Sequence, residues 1–566
     1  MFRVQAKRFC PGFPAGEGGD LYPNGLIGSV MRDAAGSASL YIGQHYDPNT
    51  LGCNLPAGPR QPTITDMLTS SRFVFIAFLT TVLLSGCDPD GSREGSPNVI
   101  IIFADDMGYT DLSSFGQTAW ETPALDRLGA EGARFTDFYV PTPACSPSRA
   151  ALLTGRYPLK AGVREVISPR TLRGLPEAER TAAELFREAG YRTGMVGKWH
   201  LGAHPDFLPT NHGFETWFGL PYSNDYSPRS INNPRPHAAQ WMELPLLRDT
   251  TIVEREPDQR QLTERYTQEA LAFIREHKEE PFFLYLAHSM PHVPLWVSDP
   301  YLDVSGAGLY GDVMRELDAS TGRILEELER LKLDDDTIVV FTSDNGPWLL
   351  MGDHGGTRGD FREGKATTFE GGIRMPAAIW APGRIPGGQV ITQPVISMDV
   401  LPTVLHYAGI RLPDGLDGIA LDGMLSGDRA LSGNTALDPE RPLFFYRSGQ
   451  LRSMRKGKWK LHVPHAYTSI REEFGGRPGS GGHPGAYGRA EIGIALYDLE
   501  TDPSESVDLA AEHPDIVEAL MVHIEDARDR IGDELTGRVG SEATPPQFIA
   551  SVWPTLEGEP TQGSNP

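Results

Sequence analysis

The chain has 566 residues, 39% hydrophobic and 22% charged, which is enough for a large core with a smaller unit beside it and excludes a disordered or fibrous class. Its formal net charge of −24 excludes a general nucleic-acid binder, because phosphate neutralisation needs clustered Lys and Arg, so an anionic ligand must meet a local cationic pocket. Four cysteines, Cys10, Cys53, Cys87 and Cys145, are too few for a disulfide framework at this length.

Residues 1–66 are Gly- and Pro-rich with no sustained period of 2 or 3.6, so they receive no fold and are expected to lie outside the mature protein. A short basic head at 67–72 then precedes an apolar run at 73–84, too short to span a bilayer and of signal-peptide length. The following Leu84-Ser85-Gly86-Cys87 resembles the lipobox of bacterial lipoproteins, which are cut before the cysteine and acylated on its thiol. A buried strand or helix is the other reading of the same run. Processing implies an exported protein of the bacterial periplasm or cell envelope, anchored to the membrane through Cys87, with 88–96 as a tether. Cys145 is then the one free thiol.

Residues 98–103 form a continuous apolar, β-branched run, the mark of a strand buried on both faces in a parallel sheet. It ends in Asp105-Asp106, where open α/β sheets bind ligands; the pair suits a divalent cation or, equally, a solvated turn. Strand and helix then alternate. Thr122-Pro123 starts a helix to about Glu131, Thr181 with Glu184 reads as a capping box, and Gly190 closes that helix. A short strand delivers Lys198 and His200 at its exit, and another at 280–286 leads to His288 and His292. An amphipathic helix covers 310–332, and a strand at 337–342 ends in Asp344-Asn345. Two strand ends with Asp-Asp and Asp-Asn make a cation site if the strands are neighbours. Lys365 sits on a Gly-bounded loop, and a helix from Asp399 to about Ala408 is stopped by Gly409.

One window concentrates chemistry: Cys145-Ser146-Pro147-Ser148-Arg149, followed by Leu153-Thr154-Gly155-Arg156. Together with the run from Gly190 to His200, Asp105-Asp106, Asp344-Asn345 and Gly364-Lys365, it resembles the sulfatases of the arylsulfatase A and N-acetylgalactosamine-6-sulfatase branch of the alkaline phosphatase superfamily. The resemblance covers roughly residues 97 to 530. It implies an α/β fold with a large mixed, mostly parallel sheet flanked by helices, plus a small C-terminal antiparallel sheet with a helix. It also implies that a maturation enzyme oxidises Cys145 to formylglycine, that Arg149 holds this residue, and that Asp105, Asp106, Asp344 and Asn345 bind calcium with the formylglycine completing the shell. Lys198, His200, His292 and Lys365 would surround the sulfate, and Ser223 would support the histidine. His292 is preferred to His288 because the family places this histidine two residues before a proline, here Pro294.

The implied chemistry is attack of an aldehyde hydrate on sulfur, assisted by Asp344, with Lys365 or His292 as general acid and His200 taking the second hydroxyl proton. The substrate would be a sulfated small molecule or glycan. The competing readings are a phosphonate or phosphate ester hydrolase of the same superfamily and a catalytically silent, lipid-anchored binding protein. The catalytic domain is expected at 97–440, a C-terminal subdomain at 441–533 with strands near 451–455, 459–463 and 494–499 and a helix at 514–531, and a loose tail at 534–566. Gly-rich residues 464–490 either border the substrate pocket or form a surface insertion.

Overall fold

Asn98–Ala104 is buried along its whole length and is the centre around which the chain is wound. It is parallel to Thr337–Ser343 on one side and to Phe282–Ala287 on the other. The parallel set continues through Arg192–Gly197 to Thr216–Gly219. Antiparallel neighbours extend both ends, Arg374–Trp380 and Ala133–Tyr139 beyond Thr337–Ser343, and the hairpin Pro245–Arg248 with Thr251–Arg255 beyond Thr216–Gly219. The expected mixed, mostly parallel sheet is present. The computed structural model describes residues 95–228, 243–426, 438 and 440–549, with the backbone of 30–32 and 38–40.

Successive side chains of a strand point to opposite faces, so an unbroken apolar run needs cover on both. Val99, Ile101 and Phe103 join one core with residues of the helices Cys145–Thr154, Ala182–Glu188 and Val400–Tyr407. Ile100, Ile102 and Ala104 join a second core with the helices Pro123–Glu131, Leu262–Glu276 and Leu309–Leu331. The capping box is made as expected: Glu184 N–H donates to Thr181 Oγ1 at 3.3 Å and the Thr181 N–H donates to the Glu184 carboxylate at 2.8 Å.

A second, antiparallel sheet orders Leu443–Arg447, Gln450–Lys456, Trp459–His462 and Ala495–Asp498, with the helix Pro514–Arg530 packed on it through Leu520, Ile524 and Ala527. Buried ions join it to the main sheet: Lys460 Nζ lies 2.8 Å from Glu370 and 2.9 Å from Glu505. Arg455 and Arg374 share Asp137, each at 2.7 Å.

Three expectations change. Residues 464–490 are not a plain loop, because His465–Ser469 and Gly488–Ile492 pair antiparallel and Phe369 packs on Tyr467 beneath them. The tail expected from 534 is tied down as far as 549: Arg538–Val539 pairs with Gly532–Asp533, and Gln547–Phe548 pairs with Arg173–Gly174. Short backbone pairings of this kind need no apolar run and leave no periodic signal. Residues 1–87 form a unit of their own, in which Val30–Arg32 and Ala38–Leu40 pair antiparallel where no structure was expected. The signal-peptide and anchor segment, Cys87 included, lies outside the described residues. Among the described residues, no helix is long and apolar enough to cross a membrane.

Candidate active site

Register alone brings the strand exits together. Ser343 pairs with Ala104, Phe103 with Ala287, and Ala287 with Gly197, so the residues that follow emerge side by side at the carboxyl edge of the sheet. Those residues are Asp344-Asn345, Asp105-Asp106, the segment to His292, and Lys198. Cys145 opens the helix Cys145–Thr154 above this edge and is 2% exposed. Arg149 lies one turn on, on the same helix face, and is fully buried.

The contacts form one network. Arg149 donates through Nε and Nη2 to a single Asp344 oxygen at 3.1 and 2.9 Å, and its Nη2 lies 3.5 Å from Asp105 Oδ1. Its Nη1 donates to the Lys198 carbonyl at 3.0 Å. Lys198 Nζ is ion-paired with Asp105 and donates to Ser223 Oγ at 3.2 Å. Lys365 Nζ meets both Asp106 oxygens at 2.6 Å and lies 3.5 Å from Cys145 Sγ. Asn345 Nδ2 donates to Asp106 Oδ1 at 2.7 Å. His292 Nε2 is 3.4 Å from Asp106 and 3.5 Å from Ser223 Oγ, while its Nδ1 is 2.6 Å from the Val293 carbonyl. A carbonyl only accepts, so Nδ1 carries the ring hydrogen and Nε2 faces the cluster as an acceptor.

His200 is buried beyond Lys198, its N–H donating to the Pro221 carbonyl at 3.2 Å and its ring 6.5 Å from that of Tyr226. His288 turns away from the cluster, with its Nε2 3.5 Å from Ser320 Oγ and its ring 6.4 Å from Tyr266. Three residues around the site other than glycine take left-handed backbone, Asp106 at φ 66°, His200 at 60° and Ala366 at 73°. Such conformations cost about 1–3 kcal/mol each and persist where surroundings over-determine them.

The donor set fits a hard divalent cation. Ligand atoms of Asp105, Asp106, Cys145 and His292 lie within 4.8 Å of one another, all buried. Among the described residues, Asp105 Oδ1 and Asn345 Oδ1 are buried with no hydrogen-bond donor, as oxygens meant for a cation would be. Burial opposes ionisation of Asp105, yet Lys198, His292, Arg149 and Lys365 together hold its carboxyl well below the usual range. Burial and the charge of Asp105 push Asp344 up, against the pull of Arg149. Burial drives the Cys145 thiol far up despite Lys365 and Lys198, so it stays protonated at neutral pH. Burial lowers His292 below an ordinary imidazole.

Two aromatic residues not singled out for the site also border it. The Trp348 ring lies 4.7 Å from Lys365 Nζ and 5.5 Å from the His292 ring, and its Nε1 donates to Tyr487 Oη at 2.9 Å. Trp348 follows Asn345 by three residues. Tyr487 sits in a Gly-rich stretch with no signal of its own.

The sheet order and the buried carboxylates, lysines and arginine at its carboxyl edge define a hydrolase of alkaline phosphatase-like fold. Residues 97–410 match the sulfatase family and 438–544 match the C-terminal region of aryl-sulfatase, so the chain belongs to the sulfatase family. It is 39% identical over 455 residues to human N-acetylgalactosamine-6-sulfatase, covering 75% of this chain and 83% of that protein. Identity to human arylsulfatase A is also 39%, over 447 residues, 75% of this chain and 86% of the relative. The crystal structure of PsFucS1 sulfatase from Pseudoalteromonas sp. superposes with a TM-score of 0.66 at 26% identity, over 77% of this chain and 91% of that one. The protein is a sulfate ester hydrolase of the arylsulfatase and N-acetylgalactosamine-6-sulfatase type.

Proposed function

We propose that the chain cleaves glycan or aryl sulfate monoesters with a formylglycine made from Cys145 and a calcium ion held by Asp105, Asp106, Asp344 and Asn345. The observation that carries this reading is the setting of Cys145. Its thiol is buried, protonated and 3.5 Å from an ammonium group, with Asp106 Oδ1 at 3.9 Å, a poor arrangement for a thiolate nucleophile and a suitable one for a hydrated aldehyde beside a cation.

The calcium ion would polarise the ester and stabilise charge developing around sulfur, and the hydrate would supply the attacking oxygen and a route to expel sulfate. The chain's own groups do the rest. Arg149 fixes Asp344 and Asp105 near the nucleophile. Lys198 and Lys365 place positive charge where the sulfate oxygens sit, and Ser223 bridges Lys198 to His292. Lys365 donates the proton to the departing alcohol: Asp106 keeps it charged in spite of burial, whereas His292 is held neutral with a bare Nε2. His292 instead accepts from the Ser223 hydroxyl through that bare Nε2, and His200 removes the proton that releases the product.

Mass spectrometry of the Cys145 peptide, after co-expression with a maturation enzyme, tests the reading. An aldehyde in place of the thiol is expected; an unmodified thiol in a fully active enzyme overturns it. A clear kinetic preference for an aryl phosphonate over an aryl sulfate would move the protein to phosphonate hydrolysis. Export and anchoring remain part of the proposal through Leu84-Ser85-Gly86-Cys87, and fatty-acid labelling of the bacterial protein should be lost in Cys87→Ser.

A further inference from the structure

Beside the Lys365 loop lies a cavity of about 320 Å³ lined by Ala366, Arg447, Arg452, Thr468 and Arg489, among others. Its walls come from three elements. Arg447 and Arg452 flank the tip of the hairpin Leu443–Arg447 and Gln450–Lys456, Arg489 stands opposite Thr468 in the pair His465–Ser469 and Gly488–Ile492, and Ala366 follows Lys365. The hairpin and the loop hang on one segment: Tyr446 N–H donates to the Pro141 carbonyl at 2.8 Å and Ala366 N–H to the Pro143 carbonyl at 2.9 Å, just before Cys145.

What marks this cavity is uncompensated positive charge in a chain of net −24. Among the described residues, no carboxylate stands within ion-pair distance of Arg447, Arg452 or Arg489. Arg452 donates through Nε and Nη2 to Gln450 Oε1, at 3.2 and 2.9 Å, and Arg447 to Ser448 Oγ, both neutral acceptors. The carboxylate of Glu165 acts on Arg447 less than Tyr487 or Cys145 does, and it is ion-paired with Arg173. Burial and the charge of Arg447 push Arg452 down to about 10, the sign of guanidiniums gathered without a counter-charge. A protein that crowds arginines in this way leaves them for an anion from outside. Tyr487, 39% exposed, hydrogen-bonds to Trp348 beside Lys365 and also feels the charge of Arg447.

We propose that Arg447, Arg452 and Arg489 form a second oxyanion subsite beside Cys145, which selects sulfated glycans carrying a further anionic group over esters with a single charge. The proposal rests on the sulfatase reading above and adds the substrate class. The Trp348 and Tyr487 rings form the wall along which a sugar reaches from one centre to the other, and the second anion is a uronate carboxylate or another sulfate.

Steady-state kinetics of the matured enzyme on three probes tests it: N-acetylgalactosamine 6-sulfate, its 4,6-disulfate, and the disaccharide in which a uronate is linked to the 6-sulfated sugar. The expected result is a kcat/KM about tenfold or more higher for at least one dianionic probe than for the monoanionic sugar, with the advantage collapsing in Arg452→Gln and Arg489→Gln and falling as salt rises. The dianionic probe preferred tells carboxylate from sulfate. The readout is a ratio between substrates of one enzyme, so loss of folded protein cancels, and the Arg489 side chain is exposed. Ratios near one in the wild type, or unchanged in both variants, overturn the subsite while leaving the sulfatase reading intact. Cleavage of no sulfate ester, with an aryl phosphonate turned over, overturns that reading instead.

Discussion

Arg149 and Asp344 meet through two guanidinium hydrogens on one carboxylate oxygen, with both side chains wholly removed from solvent. The contact ties the helix that begins at Cys145 to the end of the central strand Thr337–Ser343. Removing one partner of a buried pair strands the other charge, which costs about 3–5 kcal/mol. Arg149→Ala should lose stability on that order in urea denaturation, and turnover of the matured enzyme should fall by at least about a hundredfold. Arg149→Lys should recover only part of both, since an ammonium cannot reproduce the planar contact with Asp344 and the approach to Asp105.

Calcium should raise the thermal midpoint of the full chain. A ligand that binds only the folded state adds about 2.7 kcal/mol at a free concentration a hundred times its Kd. Differential scanning fluorimetry with calcium and with chelator checks this, and the calcium shift should vanish in Asp106→Asn. A shift that persists in that variant would place the ion elsewhere.

Acid should weaken the fold through buried neutral histidines. Burial lowers His212 to about 4, and neither ring nitrogen has a hydrogen-bond partner among the described residues. Its folded value lies below the unfolded one of about 6.5, so the contribution is complete above pH ~6.5 and is lost as pH falls towards 4, on the order of 3 kcal/mol in all. His212→Phe keeps a ring against Trp199, which sits 5.6 Å away, and removes the titration. Equilibrium unfolding between pH 7 and 4 should show a flatter profile in the variant.

The C-terminal sheet should depend on Lys460, which is fully buried between Glu370 and Glu505. Lys460→Met removes the cation between the two carboxylates, leaving Glu370 only Arg374 as an ion-pair partner among the described residues, at a cost of about 3–5 kcal/mol. Limited proteolysis should then cut first near the junction around residues 438–442, whereas the wild type resists.

The centre of this fold was legible because each central strand is an unbroken apolar run that only a doubly covered sheet can bury. The same runs marked where Asp105, Lys198 and Asp344 would emerge, and the structure brings these exits together. The choice of His292 over His288 rested on the resemblance; in the structure His292 lies against Asp106 and His288 against Ser320. Less could be read where contacts are made by shape. Arg447, Arg452 and Arg489 come from two strand pairs whose strands are short and joined by glycine-containing connections, and their meeting depends on how those pairs pack. The pairing of Gln547–Phe548 with Arg173–Gly174 joins segments more than 370 residues apart by backbone alone, which no side-chain pattern announces.

The burial of Cys145 sets an order of events. Its helix is closed over by the main sheet, and the segment before it is pinned by Tyr446 and Ala366 from distant parts of the chain. An enzyme that must grip the backbone on both sides of this cysteine to oxidise it finds no such stretch in the folded molecule. If Cys145 is converted as proposed above, conversion races against folding: a variant that folds faster, or a host whose maturation enzyme arrives late, would yield protein that is stable, correctly folded and permanently inert.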